Sequence, residues 1–210
     1  MDVRILGTVE YREALALQER VREDVREGAE EVLLLLEHPP VYTRGRRSVP
    51  GELPFGEAWY RERGIEIIDT QRGGKVTYHG PGQLVGYPIL RVSDVVAYLR
   101  TLEQAIVAAL ADEGIEAHTR EGAAWTGVWV QDRKIASLGV HASRGVTTHG
   151  FAVNIDNDLT PFEWIVPCGL DVTMTSIARE TGVTGRLPAF RERLVDELAV
   201  RLGRASNVSV

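Results

Sequence analysis

A single cysteine, Cys168, stands in the stretch FEWIVPCGL of a 210-residue chain. Many free cysteines simply pack as small hydrophobes. Here Pro167 before it and Gly169 after it disfavour both helix and central strand, which puts Cys168 on a constrained turn where its sulfur can be presented. A thiol with the ordinary pKa of about 8.5 is only a few per cent thiolate at pH 7, so a nucleophilic role needs a base or a cation beside it. Positive charge in this chain comes from 22 arginines and only two lysines, Lys75 and Lys134. Arginine stays protonated in proteins, whereas a desolvated lysine can lose its proton. Each lysine is therefore either a residue of compositional bias or a candidate for work that needs a neutral amine. Period-two alternation in KIASLGV puts Lys134 on the face of Ala136 and Leu138 if no bulge intervenes, and desolvation there lowers its pKa. As a neutral amine Lys134 can take the thiol proton; as the resulting ammonium it stabilises the thiolate and returns the proton to a leaving group.

The stretch RGGKVTYHGPGQLVGYP, residues 72–88, holds Gly73, Gly74, Gly80, Gly82 and Gly86. Such density is read as access, with backbone N–H groups free to approach a ligand, although a turn without a ligand has the same pattern. Neither a phosphate-cradling Lys-Ser/Thr pair nor a dinucleotide fingerprint follows. His79 is the group there suited to proton transfer near neutral pH. Alternation in VTTHGFAVNID places His149 with Phe151, Val153 and Ile155, as a hydrogen-bonded core histidine or a supporting site residue.

The elements that must position these groups follow from periodicity. Residues 3–8 read as a strand, 10–27 as an amphipathic helix burying Ala14, Leu17, Val21 and Val25, and 31–40 as an apolar strand stopped by two prolines. A basic loop, VYTRGRR, comes next, and strands are expected at 65–69 and 84–90. A helix capped at Ser93-Asp94 buries Val95, Leu99, Leu102, Ile106 and Leu110. Residues 125–155 read as an antiparallel meander, and a last helix over 187–202 carries Phe190, Leu194, Leu198 and Leu202. Helices and strands in blocks argue for an α+β fold, a mixed and mostly antiparallel sheet with packed helices, in one domain spanning 1–210.

One cysteine excludes a disulfide framework and fits a reducing compartment. A net charge of −6 argues against nucleic acid, and no apolar run reaches the length of a membrane span or signal segment, so a cytoplasmic protein is expected.

The pieces LLEHPPVYTRGRR, RGGKVTYHGPGQLVGYPI, GVWVQDRKIASLGV, VTTHGFAVNID and FEWIVPCGL, in that order and spanning most of the chain, together resemble the lipoyl(octanoyl) transferase B family. The sequence departs from the family pattern only slightly, in MTSI at 174–177 and in the extra basic residues of TRGRR. The resemblance implies a fold shared with biotin and lipoate protein ligases. It implies transfer of an octanoyl group from octanoyl-acyl carrier protein to a lysine of an apo lipoyl domain, of 2-oxoacid dehydrogenases or the glycine cleavage H protein. The family's cysteine–lysine pair maps onto Cys168 and Lys134. Its acyl-binding residues map onto Arg72, Gly73, Gly74, Val76, Thr77, Tyr78 and His79, onto Ser137, Leu138 and Gly139, and onto Gly150, Phe151 and Ala152. Lys75 lies inside that first run at a position the motif leaves open, and is read as a surface lysine. No cofactor, ATP or metal is expected, and a monomer is.

The corresponding mechanism is a two-step acyl transfer through a Cys168 thioester. His79, Lys134 or water accepts the incoming proton, and backbone N–H groups of the glycine-rich turn or of Gly169-Leu170 act as oxyanion donors. Arg44, Arg46, Arg47 and Arg72 are expected to form a basic rim that steers the carrier. The rival readings are an ATP-dependent lipoate or biotin ligase, which would tolerate loss of the cysteine, and a non-catalytic acyl-binding domain.

Overall fold

The computed structural model describes residues 1–166 and 172–209. Along them run β1 (Asp2–Thr8), α1 (Tyr11–Arg26), β2 (Val32–Glu37), β3 (Val41–Arg44), α2 (Glu57–Arg61), β4 (Glu66–Asp69), β5 (Thr77–His79) and β6 (Gln83–Ile89). Then come α3 (Val95–Ala111), β7 (His118–Thr119), β8 (Gly127–Val130), β9 (Arg133–Ser143), β10 (Val146–Asn154), α4 (Thr160–Glu163), α5 (Ile177–Thr181), α6 (Leu187–Leu202) and β11 (Asn207–Ser209). Among the described residues, eight strands form one sheet in the order β11-β1-β2-β6-β10-β9-β8-β7, and three form a second in the order β4-β3-β5. In the large sheet β1 pairs in parallel with β11 and β2, and the remaining neighbours are antiparallel. In the small sheet β3 is parallel to β4 and antiparallel to β5. This is the expected α+β architecture.

The unbroken apolar run of β2 has a simple cause, since helices cover both faces of the large sheet. Leu33 and Leu35 pack with α3 and α6, whereas Leu34 and Leu36 pack with α1. Helix α3 starts where Asp94 accepts hydrogen bonds from the backbone N–H of Val96 and Ala97, satisfying two donors that have no partner within the helix. Its buried stripe is Tyr98, Leu102, Ala105, Ile106, Ala109 and Leu110 together with Glu103; Val95 and Leu99, expected in the core, are only half-buried. The residues read as a basic loop begin as strand β3, whose Val41 and Tyr42 are buried between β4 and β5. The meander and the last helix fall where periodicity puts them.

Candidate active site

Strand β9 breaks its own alternation. Against β8, Val128 pairs with Ala136 but Trp129 pairs with Lys134, so Ile135 is an extra residue and β9 bulges. Lys134 consequently shares the face of Trp129. Ala136 and Leu138, its expected companions, pack toward α3 and α6 instead. The Lys134 side chain lies over Gly127, where an added Cβ would meet Lys134 Cε at 2.3 Å. Nζ donates to Thr126 O at 2.8 Å and sits 5.3 Å from the Trp129 ring centroid. The backbone is held on both sides: Lys134 N donates to Thr173 O at 2.8 Å, and Thr175 N donates to Lys134 O at 2.9 Å. Burial pushes the amine down to about 8, against an opposing pull from Glu103. At pH 7 roughly a tenth of it is neutral.

A second group of polar side chains lies deeper. Arg72, in the loop before β5, is buried against β3, donating to Thr43 Oγ1 at 2.7 and 3.0 Å, to Thr43 O at 2.5 Å and to Gly73 O at 3.0 Å. His79 Nδ1 donates to Gln83 Oε1 at 2.7 Å, and the His79 ring stacks on Tyr11 with centroids 5.9 Å apart. His38 Nδ1 donates to Val9 O at 2.7 Å, and Nε2 accepts from the Tyr87 hydroxyl at 2.7 Å. His149 has φ 58° in the middle of β10, a left-handed conformation that costs a non-glycine residue energy. Its N–H leaves the strand ladder and donates to Gln18 Oε1 at 2.7 Å. The twist carries its ring to the edge of Tyr87, centroids 6.3 Å apart, and so away from Phe151, Val153 and Ile155, which belong to the opposite core. Desolvation holds all three imidazoles neutral: His38 at about 4, His149 at about 3, and His79 well below its ordinary value; the charges of His38, Arg72 and His149 add to the effect at His79, and those of Arg72 and His141 at His149.

The two groups border one cavity of about 450 Å³, enclosed by β5 and the loop before it, by strands β6, β9 and β10, by residues 123–126, and by Phe162, Ile165, Val172 and Met174. Of the residues singled out in the sequence, Lys134, Arg72, Gly74, Val76, Thr77 and His79 line it, as do Ser137, Leu138, Gly139, His149, Gly150, Phe151 and Ala152. Lys75 also lines it and is half-buried, so it is not the surface lysine expected. Gly73 and Tyr78 do not line it. Gly73 N donates to Val140 O at 3.0 Å, tying the loop to β9, and Tyr78 packs on Tyr42 and Phe162. Gly86, read as ligand access, serves packing: a Cβ there would lie 2.1 Å from the Phe151 ring. Cys168 and Gly169 lie outside the described residues, but Ile165 and Val172, on either side of that segment, both line the cavity. The basic rim shrinks to Arg46 and Arg47, because Arg72 is buried and Arg44 is paired with Glu57 and Asp69. Tyr11, Tyr87 and Met174 also face the cavity, and only long-range pairing brings them there. Among the described residues no three metal-ligating side chains converge, and no helix is long and apolar enough to cross a membrane.

The site is thus a half-enclosed, largely apolar cavity on the mixed sheet, with an amine of lowered pKa on its wall. The backbone superposes on lipoate-protein ligase A bound with ATP with a TM-score of 0.79, at 18% identity over 100% of this chain and 90% of that one. It superposes on the biotin protein ligase of Aquifex aeolicus at 0.56, with 12% identity over 97% and 69% of the two chains. Residues 10–199 match the lipoyl protein ligase A/B catalytic domain family. The chain is 49% identical to an octanoyltransferase of Solibacter usitatus, covering 94% of this chain and 90% of that protein. It is 47% identical to an octanoyltransferase of Mycobacterium tuberculosis, covering 88% and 79%. The chain belongs to the lipoyl protein ligase A/B family, and within it to the octanoyltransferases.

Proposed function

We propose that this cytoplasmic enzyme, acting as a monomer and without ATP, metal or other cofactor, moves octanoyl from acyl carrier protein to a lysine of an apo lipoyl domain through a thioester on Cys168. The observation that carries the reading is Lys134: a half-buried lysine whose amine is brought by desolvation to a pKa of about 8, lining an apolar cavity that Ile165 and Val172, on either side of the Cys168 segment, also line. Neutral Lys134 takes the Cys168 proton, and the thiolate attacks the octanoyl carbonyl. The new C–S bond forms as the carrier's C–S bond breaks, and the departing carrier sulfur receives the proton from the Lys134 ammonium. In the second half the neutral amine of the acceptor lysine attacks the Cys168 thioester. A C–N bond forms, the C–S bond breaks, and Lys134 receives the amine proton while Cys168 leaves as thiolate. His79, locked neutral and engaged by Gln83, is left to binding.

Mass spectrometry after mixing the protein with octanoyl carrier protein, without ATP, tests this. An octanoyl adduct on Cys168 that is absent from a Cys168→Ser variant and discharges onto an apo lipoyl domain is expected. A requirement for ATP, or full activity of Cys168→Ala, would mean a ligase instead.

A further inference from the structure

Helix α3 carries a carboxylate that a buried helical stripe does not need. Glu103 is completely buried, beside Leu102, Ala105 and Ile106 in the helix's buried stripe, and an ionisable group so placed requires partners. It has two. Arg100 Nη1 donates to Oε2 at 2.6 Å, and Gly127 N donates to Oε1 at 2.7 Å. Gly127 N belongs to the peptide whose carbonyl is Thr126 O, and that oxygen accepts the Lys134 Nζ bond of 2.8 Å. One peptide plane therefore has a carboxylate on its N–H side and the lysine on its C=O side.

Hydrogen bonds in such a chain polarise one another. Negative charge at the N–H shifts electron density toward the carbonyl oxygen and makes it a stronger acceptor for an ammonium. The geometry also fixes direction, since the peptide cannot rotate without breaking both bonds. Gly127, with φ 145°, provides the room: a Cβ would strike Lys134 and the Ala136 carbonyl at 2.3 and 2.7 Å. The other charged groups around Lys134 are engaged elsewhere. Arg120, over the Trp129 ring at 4.2 Å, is paired with Asp132, and Arg133 is paired with Glu180. Residues 172–176 offer Lys134 backbone groups and Met174, and Cys168 is its proposed thiol partner.

We infer that Glu103 is a positioning residue for octanoyl transfer, acting on Lys134 through the Thr126–Gly127 peptide to hold its amine in place and to set its proton affinity. The inference rests on the catalytic role given to Lys134 above, but the coupling itself can be read without catalysis. The chain has two lysines, so protein labelled with ¹³C at lysine Cε gives two side-chain signals, with Lys75 as internal reference. The wild-type Lys134 signal should titrate at about 8. Glu103→Gln keeps an acceptor for Gly127 N–H but drops the charge; the Lys134 midpoint should fall by about one unit. The kcat for octanoyl transfer should fall roughly tenfold with the donor KM unchanged, and the acid limb of the pH–rate profile should move with the midpoint. Arg100→Met leaves the carboxylate less neutralised and should move the midpoint upward, a reversal that lost packing would not produce. It also carries the test if Glu103→Gln fails to fold. A Lys134 midpoint that stays in place when Glu103 or Arg100 is replaced overturns the inference. A shifted midpoint with undiminished transfer leaves the coupling standing and overturns the catalytic role of Lys134.

Discussion

The two polar groups on the cavity wall meet the same desolvation with opposite results. At Lys134 burial lowers the pKa of a strong base, and a carboxylate acting through a peptide limits the fall, so the amine stops at about 8. Around Arg72, burial lowers the pKa of weak bases, aided at His79 and His149 by the fixed guanidinium charge, so His38, His79 and His149 are left neutral across the physiological range. A buried base remains useful for proton transfer when its ordinary value is high enough to survive desolvation and an anion partly offsets the cost. By that criterion a lysine, rather than one of three histidines, is the base suited to the proton transfer proposed here. His79, His149 and Tyr87 line the cavity with fixed dipoles.

The largest way to break the contrast is at Gly127. Gly127→Ala forces a side chain into a positive-φ position and against Lys134 Cε. An ångström-scale displacement of a catalytic group costs about a hundredfold in rate. Octanoyl transfer should therefore drop by about that factor or more, measured at saturating donor beside a melting curve that shows the variant folded. Wild-type turnover by this variant would mean that the seat of Lys134 on the bulge is unimportant.

That bulge also marks where sequence reading stops. VLLLLE of β2, the Asp94 cap and the stripe of α6 were legible because local periodicity and capping chemistry decide them. The face of Lys134 was not, because Ile135 becomes an extra residue only through its pairing with β8. The face of His149 was hidden for a similar reason: its left-handed backbone is held by Gln18, which is 131 residues away. β3 was masked by the basic residues that close it, and it is a strand because β4 and β5 flank it. The residue types of the site were thus visible in the chain, whereas their orientation came from partners distant in sequence.

A smaller effect tests the deeper group through stability. His149 has a folded-state pKa near 3, below its unfolded value of about 6.5, so between these the unfolded chain binds more protons. Its contribution to stability is complete above about 6.5 and is lost as pH falls toward 3. Each such histidine adds a slope of about 1.4 kcal/mol per pH unit within that window. His149→Leu should remove one such increment from the slope of unfolding free energy between pH 6 and 4, measured by denaturant titration. It should leave the activity limb near pH 8 in place, because the proposed mechanism assigns that limb to Lys134. A limb displaced by this variant would join the two groups that the structure keeps apart.

The smallest expected change lies in the passage between them. Ala152 pairs with Ser137 across β9 and β10, lines the cavity, and packs with Val85 and Tyr87. Ala152→Val adds two carbons to that wall and excludes about one methylene of a bound chain. At ~0.8 kcal/mol per buried CH₂, the preference for octanoyl over hexanoyl donors should fall roughly fourfold. The loss should appear in KM rather than kcat, because Lys134 and its peptide are untouched. Competition between the two acyl donors reads this ratio directly. A change confined to kcat would instead mean that the acyl chain does not occupy the wall between Lys134 and the histidines.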